Sequence, residues 1–499
     1  MKKNFRDRLI ILAVLFVIFS IILLYNLYEL QVKAGEKFSS ENNSFFREQD
    51  ITAPRGKISD RNGVPLAINK QGYILEIVKI NIDNNQLNLA IFNLVNILEK
   101  NEDSYVNKLG KYLSFNPIQF KKDWKQTKKW QIERFDLSKD KCIKDAYKFF
   151  QYLRDEEFMI GKNYTDEECY NIMRIRYAIR LEWWNFTNNY KPVMISEDIC
   201  PKSLYEINEQ NHKMPGITTQ IVPQREYINA WLAPHVTGYV GPITGQQYKD
   251  WREKGYSMND IVGRSGIELV AEKQLRGSNG STIWTVDSNG RFSTSLSETK
   301  AVPGNDIKLT LDMRLQQIAL DSLERTINEI RSEANGKNNK GDADAGSVVA
   351  IDVNTGEVLV MASYPGYDPA VILDQIGELN SDSRNPQFHR ALSGTYAPGS
   401  TYKPLIAIAA LEEGKITPNT VIEDKGKVEI GGKDFFCLEY TWGLGTHGKL
   451  KLERALATSC NIYFHLLGVR TGIASIQKWA RLFGLGEKTG IELYEEKGV

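Results

Sequence analysis

Tyr396-Ala397-Pro398-Gly399-Ser400-Thr401-Tyr402-Lys403-Pro404 stands immediately before the apolar run Leu405 to Leu411. Pro-Gly closes an irregular segment, and Ser400 is a residue type that starts helices. A helix beginning there puts Ser400 and Lys403, three residues apart, on one face. A serine hydroxyl is a weak nucleophile near neutral pH. It needs a base within hydrogen-bond reach, and a half-buried lysine with a lowered pKa can serve. The helix N-terminus would add unpaired N–H groups where an oxyanion develops. The same residues also read as a capping serine followed by a surface lysine, and S-x-x-K arises by chance in many proteins.

The context separates these readings. Ser459-Cys460-Asn461 follows Ser400 by 59 residues. A serine nucleophile, an S-x-x-K lysine and a later S-x-N triplet make the pattern of the penicillin-recognising serine enzymes. Ala53-Pro54-Arg55-Gly56-Lys57-Ile58-Ser59-Asp60-Arg61-Asn62-Gly63 resembles the R-G-x-I-x-D-R-N-G signature of class B penicillin-binding proteins. Ala233–Gly241 (APHVTGYVG), Gly263–Glu268 (GRSGIE), Gly346–Asp352 (GSVVAID) and His389-Arg390-Ala391 resemble further blocks of that family, in the family's order. The chain is therefore similar to a class B penicillin-binding protein of the elongation type often called penicillin-binding protein 2. The resemblance implies that Ser400 is the nucleophile; Lys403 would take its proton, or would only pack and hydrogen-bond beside it. Ser459 would relay a proton toward the leaving amine, and Asn461 would hold Lys403 and the substrate amide.

The family's third element is K-T-G or K-S-G on a strand lining the cleft. Lys488-Thr489-Gly490 has the right letters but follows Ser459 by only 29 residues, in a segment similar to the family's earlier G-x-x-T-G-I-x-L. It is set aside. The true motif is expected more than a hundred residues later by that resemblance, so the transpeptidase domain is expected to be incomplete at the C-terminus.

Five cysteines occur, Cys142, Cys169, Cys200, Cys437 and Cys460. Cys437, His447 and Cys460 gather around the S-C-N triplet, with Asp424 upstream. Two thiolates, an imidazole and a carboxylate suit tetrahedral zinc. Some elongation-type relatives carry a structural zinc beside the active site, with ligands at similar Asp, His and Cys positions. A Cys437–Cys460 disulfide and free buried thiols remain open alternatives. No organic cofactor is implied. Cys169 reads as ordinary packing or surface.

Basic and acidic residues number 63 and 62 among 499, which argues against a nucleic-acid binder driven by phosphate contacts. Residues 1–8 carry Lys2, Lys3, Arg6 and Arg8, and residues 9–28 are almost wholly apolar. About 20 such residues cross a bilayer core, and the positive flank predicts a cytoplasmic N-terminus. Tyr-Asn-Leu-Tyr-Glu-Leu is a poor cleavage site, so an uncleaved single-pass anchor in the cell membrane is expected, with the rest outside the cytoplasm. The predicted class is α+β. It comprises an elongated mixed pedestal over 40–300 with a helical insertion at about 84–200, then a transpeptidase domain over 301–499, with helices on an antiparallel sheet. Helices are predicted at Leu87–Leu98 and Met313–Glu333. Strands Ser347–Asp352 and Glu357–Ala362 are expected to join through Asn354-Thr355-Gly356. Asn335–Gly346 reads as an exposed loop. Trp124, Trp130, Trp183 and Trp184 read as packing residues.

The resemblance implies a D,D-transpeptidase that cross-links peptidoglycan stem peptides through a serine acyl-enzyme in cell-wall elongation and shape, and that β-lactams trap. It also implies a membrane glycosyltransferase partner of the shape, elongation, division and sporulation type. Two other classes stay open. One is a non-catalytic scaffold or activator of that partner; the other is a β-lactam hydrolase or sensor. A hydrolase needs a group that activates water and has no use for a pedestal. A receptor-protease sensor would need H-E-x-x-H, which is absent.

Overall fold

The computed structural model describes residues 20, 21, 23–25, 46–188, 191–258, 260–286, 292–334 and 343–498. The expected span 9–28 lies outside these except for Ser20, Ile21 and Leu23–Tyr25, which are helical. Among the described residues no helix is long and apolar enough to cross a membrane. Most of the expected loop 335–346 also lies outside them. Contacts divide the chain into two units. The first is Met1–Lys57, Ile68–Glu226 and Gln274–Asp306; the second is Ile58–Ala67, Tyr227–Lys273 and Ile307–Val499.

The first unit is built on helices in the predicted insertion. Asn84–Lys100 starts at a capping box, with Asp83 accepting from Gln86 N and the Gln86 side chain returning to Asp83 N. Its Ile91, Leu94, Val95 and Leu98 recur at helical spacing and are buried. Asp166–Leu181 starts the same way at Thr165 and Glu168, and its acidic first turn complements the helix dipole. Trp130 sits in the same core. Its indole N–H donates to Tyr177 Oη at 2.7 Å, and its ring stacks on Tyr112 at 4.6 Å. Trp183 and Trp184 depart from the packing expectation, being 58% and 73% exposed. They open a six-residue helix, Trp183–Asn188, that buries Phe186 instead. Too short to cover two indoles, that helix leaves them in solvent. An antiparallel three-stranded sheet, Phe46–Ile51, Gly280–Val286 and Phe292–Thr299, completes the unit.

In the second unit the helix Met313–Ala334 lies on the antiparallel pair Gly346–Ile351 and Val358–Tyr364. Ala319, Val360 and Ala362 form their shared core, flanked by Leu320, Leu323, Val348 and Ala350. The hairpin turns at Asn354-Thr355-Gly356, where Gly356 takes φ +77°, a conformation that suits glycine. The Asp60-Arg61-Asn62-Gly63 turn is fastened to the same helix. Buried Asp60 accepts from Asn62 N and Val64 N at 2.8 Å and from Met313 N at 3.1 Å. The turn therefore supplies an anion to the orphan N–H groups at the helix start.

The site-bearing core is helical. Lys403–Glu412 carries Ala407, Ala409 and Ala410 on buried positions, which admits the neighbouring helix Asn461–Thr471. Ala407, Ala410, Ile462, Tyr463, Phe464 and Leu467 share one cluster, which also holds Cys437 and Cys460.

Candidate active site and metal-ligand cluster

Ser400 lies in a single 3-10 turn, Gly399–Tyr402, and the α-helix proper begins at Lys403. This shifts the helix start three residues from the sequence expectation. Pro404 has no N–H to return to the Ser400 carbonyl, so the turn closes by Lys403 N–H to Ser400 O instead. Side chains at i and i+3 eclipse in a 3-10 turn, so Ser400 and Lys403 still share a face. The Ser400 hydroxyl is exposed and makes no hydrogen bond among the described residues.

Lys403 is 9% exposed, and its ammonium has three partners. It donates to Ser459 O at 2.6 Å, Ser459 Oγ at 3.0 Å and Asn461 Oδ1 at 2.7 Å. An ammonium has three protons, so the set is complete. Burial pulls its pKa below the usual lysine value, partly opposed by the nearby Cys460 and Cys437. The ring of Phe464 stands 5.7 Å from Nζ.

The Ser459-Cys460-Asn461 triplet joins the helix Leu452–Ala457 to the helix Asn461–Thr471. Ser459 takes φ +51°, a left-handed conformation that a non-glycine residue holds at a cost of roughly 1 kcal/mol or more. This turn aims both oxygens of Ser459 at Lys403. Cys460 is the N-cap of the second helix, accepting from Tyr463 N at 3.5 Å. The triplet is thus a helix cap and a contact to Lys403 at once.

One bond at the site had no sequence signal. Asn461 Nδ2 donates to the Phe436 carbonyl at 3.5 Å, and a backbone acceptor has no residue-type signature. Lys488-Thr489-Gly490 lies in irregular chain, where the Glu495 carboxylate accepts from Thr489 N at 3.0 Å, Thr489 Oγ1 at 2.8 Å and Gly490 N at 2.9 Å.

Asp424, Cys437, His447 and Cys460 converge, with one donor atom from each lying within 4.8 Å of the others. His447 Nδ1 is 2.8 Å from Asp424 Oδ2 and 3.2 Å from Cys437 Sγ, and Cys460 Sγ is 3.3 Å from Asp424 Oδ2. The turn at Gly426, whose N–H donates to Asp424 Oδ1 at 2.7 Å, and the strand pair Ile422–Asp424 with Gly448–Leu450 bring Asp424 and His447 together. Burial pushes Cys460 up to about 12 and Cys437 upward, with Asp424 adding to both. Burial raises Asp424 too, but donors from Gly426, His447 and both thiols outweigh it and bring its carboxyl to about 2. His447 Nε2 is buried without a hydrogen bond; Glu439 Oε1 stands 3.1 Å away but off the bonding direction. Both cysteines are free thiols rather than a disulfide. Two sulfurs, one imidazole nitrogen and one carboxylate oxygen within 4.8 Å of one another are a donor set of the type that tetrahedral zinc takes.

A hydroxyl one 3-10 turn from a buried lysine, with a second hydroxyl and an amide on that lysine, is the layout of an active-serine acyl-transfer site. Residues 50–309 match the penicillin-binding protein dimerisation domain and residues 346–498 the penicillin-binding protein transpeptidase domain. The chain belongs to the penicillin-binding protein family. It is 26% identical over 488 residues to the peptidoglycan D,D-transpeptidase MrdA of Escherichia coli, covering 95% of this chain and 62% of that one. It is 29% identical over 309 residues to MrdA of Acinetobacter baumannii, covering 61% of this chain and 43% of the relative. The chain therefore spans less than two thirds of these relatives' length. A solved complex of penicillin-binding protein PBP2 with MreC from Helicobacter pylori shares its fold, with TM-score 0.58 and 24% identity over 91% of this chain and 69% of that one. A second structure, of a peptidoglycan synthase complex, matches at TM-score 0.57 and 24% identity, over 99% of this chain and 70% of that one.

Proposed function

We propose that this chain carries the active-serine centre of a peptidoglycan D,D-transpeptidase working in cell-wall elongation and cell shape. The observation that carries the reading is the Lys403 ammonium held by Ser459 and Asn461, one turn from the exposed Ser400 hydroxyl. As a neutral amine, Lys403 gives up one of its three donated bonds and accepts the Ser400 proton. Ser400 Oγ then bonds to the carbonyl carbon of the penultimate D-Ala of a stem peptide. The C–N bond to the terminal D-Ala breaks, and the proton reaches the departing amine through Ser459 Oγ. An amine of a neighbouring stem takes up the acyl group and frees Ser400. A β-lactam stops at the acyl stage. Burial of Lys403 favours the neutral amine that the first step needs.

Asp424, Cys437, His447 and Cys460 are read as ligands of one structural zinc. When bound, the ion supplies folding energy and no chemistry at the substrate. The chain residues then fix Cys460, and with it Ser459 and Asn461 on either side.

Residues 9–28 are read as a single membrane anchor, N-terminus inside, that meets a glycosyltransferase partner of the shape, elongation, division and sporulation type. The structure of the peptidoglycan synthase complex, described as coordinating polymerisation and crosslinking, supports a partner of this kind; the MreC complex supports only that a protein of this fold assembles with another chain. Recovery of the protein in the membrane fraction after a high-salt wash checks the anchor; a soluble product beginning near residue 30 overturns it.

Fluorescent penicillin tests the activity, on protein that includes a K-T-G or K-S-G strand, without which little or no acylation is expected. A stable adduct on the peptide containing Ser400, lost in Ser400→Ala with the fold intact, is expected. Rapid turnover of the label, label on another serine, or none at all refutes the assignment.

A further inference from the structure

The strand Lys433–Phe436 and its partner Lys427–Ile430 form a two-stranded ribbon, which is marginally stable on its own. Val428 and Phe435 stand directly opposite each other on its half-buried side. Val428 packs against the cluster that holds Ile462, Tyr463 and Leu467. Phe435 packs on His465, with ring centroids 4.5 Å apart at 42°. His465 follows Asn461 by four residues in the helix Asn461–Thr471, so the two share a face one turn apart. Burial, and then the charge of Lys403, pushes the His465 pKa below its usual value. The imidazole is therefore a neutral ring near pH 7, and it stands in the field of the ammonium that Asn461 holds.

Phe436 gives the helix only its carbonyl. Its side chain is on the exposed face of the ribbon, with Lys427 Nζ 5.8 Å from the ring centroid. That carbonyl shares one planar peptide with Cys437 N–H. The N–H donates to Gly426 O at 3.0 Å, and the carbonyl accepts from Asn461 Nδ2 at 3.5 Å. The second bond is at the long limit for N–H···O, so a small retreat of the strand breaks it. The Asn461 amide is then held only by Lys403 on Oδ1 and can turn. We infer that His465 is a positioning residue: through Phe435 it keeps the Phe436 carbonyl on Asn461 Nδ2, and so keeps Asn461 Oδ1 turned to the Lys403 ammonium. The inference rests on the reading of Lys403 as the base, and it names the side chain that keeps one of that base's three partners in place.

The test reads the lysine itself. The chain is trace-labelled with isotopic acetic anhydride, and peptide mass mapping gives the rate at Lys403 against a free lysine derivative added as internal standard. Held by three acceptors, the amine reacts slowly; with Asn461 turned away it has two. His465→Ala and Phe435→Ala are each expected to raise the rate about threefold or more. The double variant is expected to rise no further than the larger single, because both act through one contact. His465→Phe is expected to stay near the parent, since phenylalanine keeps a ring against Phe435. Circular dichroism melts show which variants are folded at the labelling temperature; where His465→Ala is not, His465→Gln takes its place with the same expected rise. Leu467→Ala removes buried packing from the same helix and is expected to lower the melting temperature without changing the Lys403 rate. An unchanged rate in the folded His465 variant, additive rises in the double variant, or an equal rise in Leu467→Ala overturns the inference. So does a rise in His465→Phe as large as that in His465→Ala. Penicillin labelling is a separate measurement: its failure refutes the acyl-enzyme reading, whereas an unchanged Lys403 rate refutes only the role of His465.

Discussion

Acidification below neutrality should weaken the second unit through two stacked histidines, His235 and His389. Their rings lie 5.4 Å apart at 23°, with the Tyr367 ring edge-on to His235 at 5.2 Å. His235 Nε2–H donates to the Pro386 carbonyl at 2.7 Å, and His389 Nε2 is buried without a partner. Burial pushes His235 down to about 4, partly offset by that carbonyl and aided by Arg390. Burial and the neighbouring His235 push His389 down to about 3. Both are therefore neutral in the fold and take up protons on unfolding near the ordinary value of 6.5. Their contribution is complete above pH 6.5 and is lost as pH falls from 6.5 toward about 4. At pH 5 the folded forms hold almost no proton, so each loses about 2 kcal/mol and the pair about 4 kcal/mol, whichever histidine would titrate first in the fold. That is a large share of a domain's stability, typically about 5–15 kcal/mol. Urea unfolding followed by tryptophan fluorescence between pH 7.5 and 5 measures it. In His235→Gln with His389→Gln the pH-dependent loss should shrink by about 4 kcal/mol, whatever His465 and the remaining histidines contribute. An unchanged pH dependence in that double variant would show that the pair does not titrate as its burial requires.

Three further outcomes follow from the site. Ser459→Gly relieves the left-handed strain while removing one oxygen from Lys403; stability by urea unfolding should stay within about 1 kcal/mol of the parent, yet penicillin labelling should slow about 100-fold or more. Asn461→Asp puts a carboxylate where Oδ1 now stands 2.7 Å from Lys403, which holds the ammonium charged; labelling should fall at least tenfold without a lower melting temperature, and unimpaired labelling refutes the need for a neutral amine. Purified protein should carry about one zinc per chain by mass spectrometry, and Cys460→Ser should lower the melting temperature more than Cys169→Ser; less than about a tenth of an equivalent together with a Cys437–Cys460 disulfide excludes the metal.

The parts of the fold legible in the sequence are those where local pattern and tertiary role agree. Met313–Ala334 has helical periodicity and a helical core face, and Gly356 marks a hairpin that the chain makes. Lys403, Ser459 and Asn461 were legible as a group because the S-x-x-K and S-x-N pattern names their types, and the structure brings them together; Ser400 stands in the 3-10 turn that precedes Lys403. The four metal-type donors were legible by type, although their spacing along the chain is irregular; strand pairing between Ile422–Asp424 and Gly448–Leu450 closes the distance, and pairing is a long-range property. The failures have the same origin. Residue type made Trp183 and Trp184 look like core, but whether an indole is covered depends on what lies opposite, and a six-residue helix brings too little. Ser400 has the chemistry of a helix start, yet Pro404 moves that start to Lys403. The Phe436 carbonyl was invisible because every residue has one.

The contacts to Lys403 and the donor cluster are two faces of one piece of backbone. Cys460 points into the cluster and caps the helix that begins at Asn461, while Ser459 and Asn461 point the other way, to Lys403. Across from them, Cys437 follows the residue whose carbonyl holds Asn461. Any force that seats Cys437 and Cys460 together therefore also sets the distance between the Phe436 carbonyl and Asn461, and through Asn461 the position of the Lys403 ammonium. Neither group of donors needs to touch substrate to matter. The left-handed turn at Ser459 is the strained step in this chain of contacts, and it is held in place from both sides, by the cap at Cys460 and by two hydrogen bonds from Lys403. Strain of this kind persists only where the surroundings over-determine it. Loosening the cluster should thus be felt first as loss of lysine geometry, because Cys460 is flanked directly by the two residues that hold Lys403, whereas Ala407, Ala410 and Leu467 add apolar contacts of their own to the core they share with the cysteines.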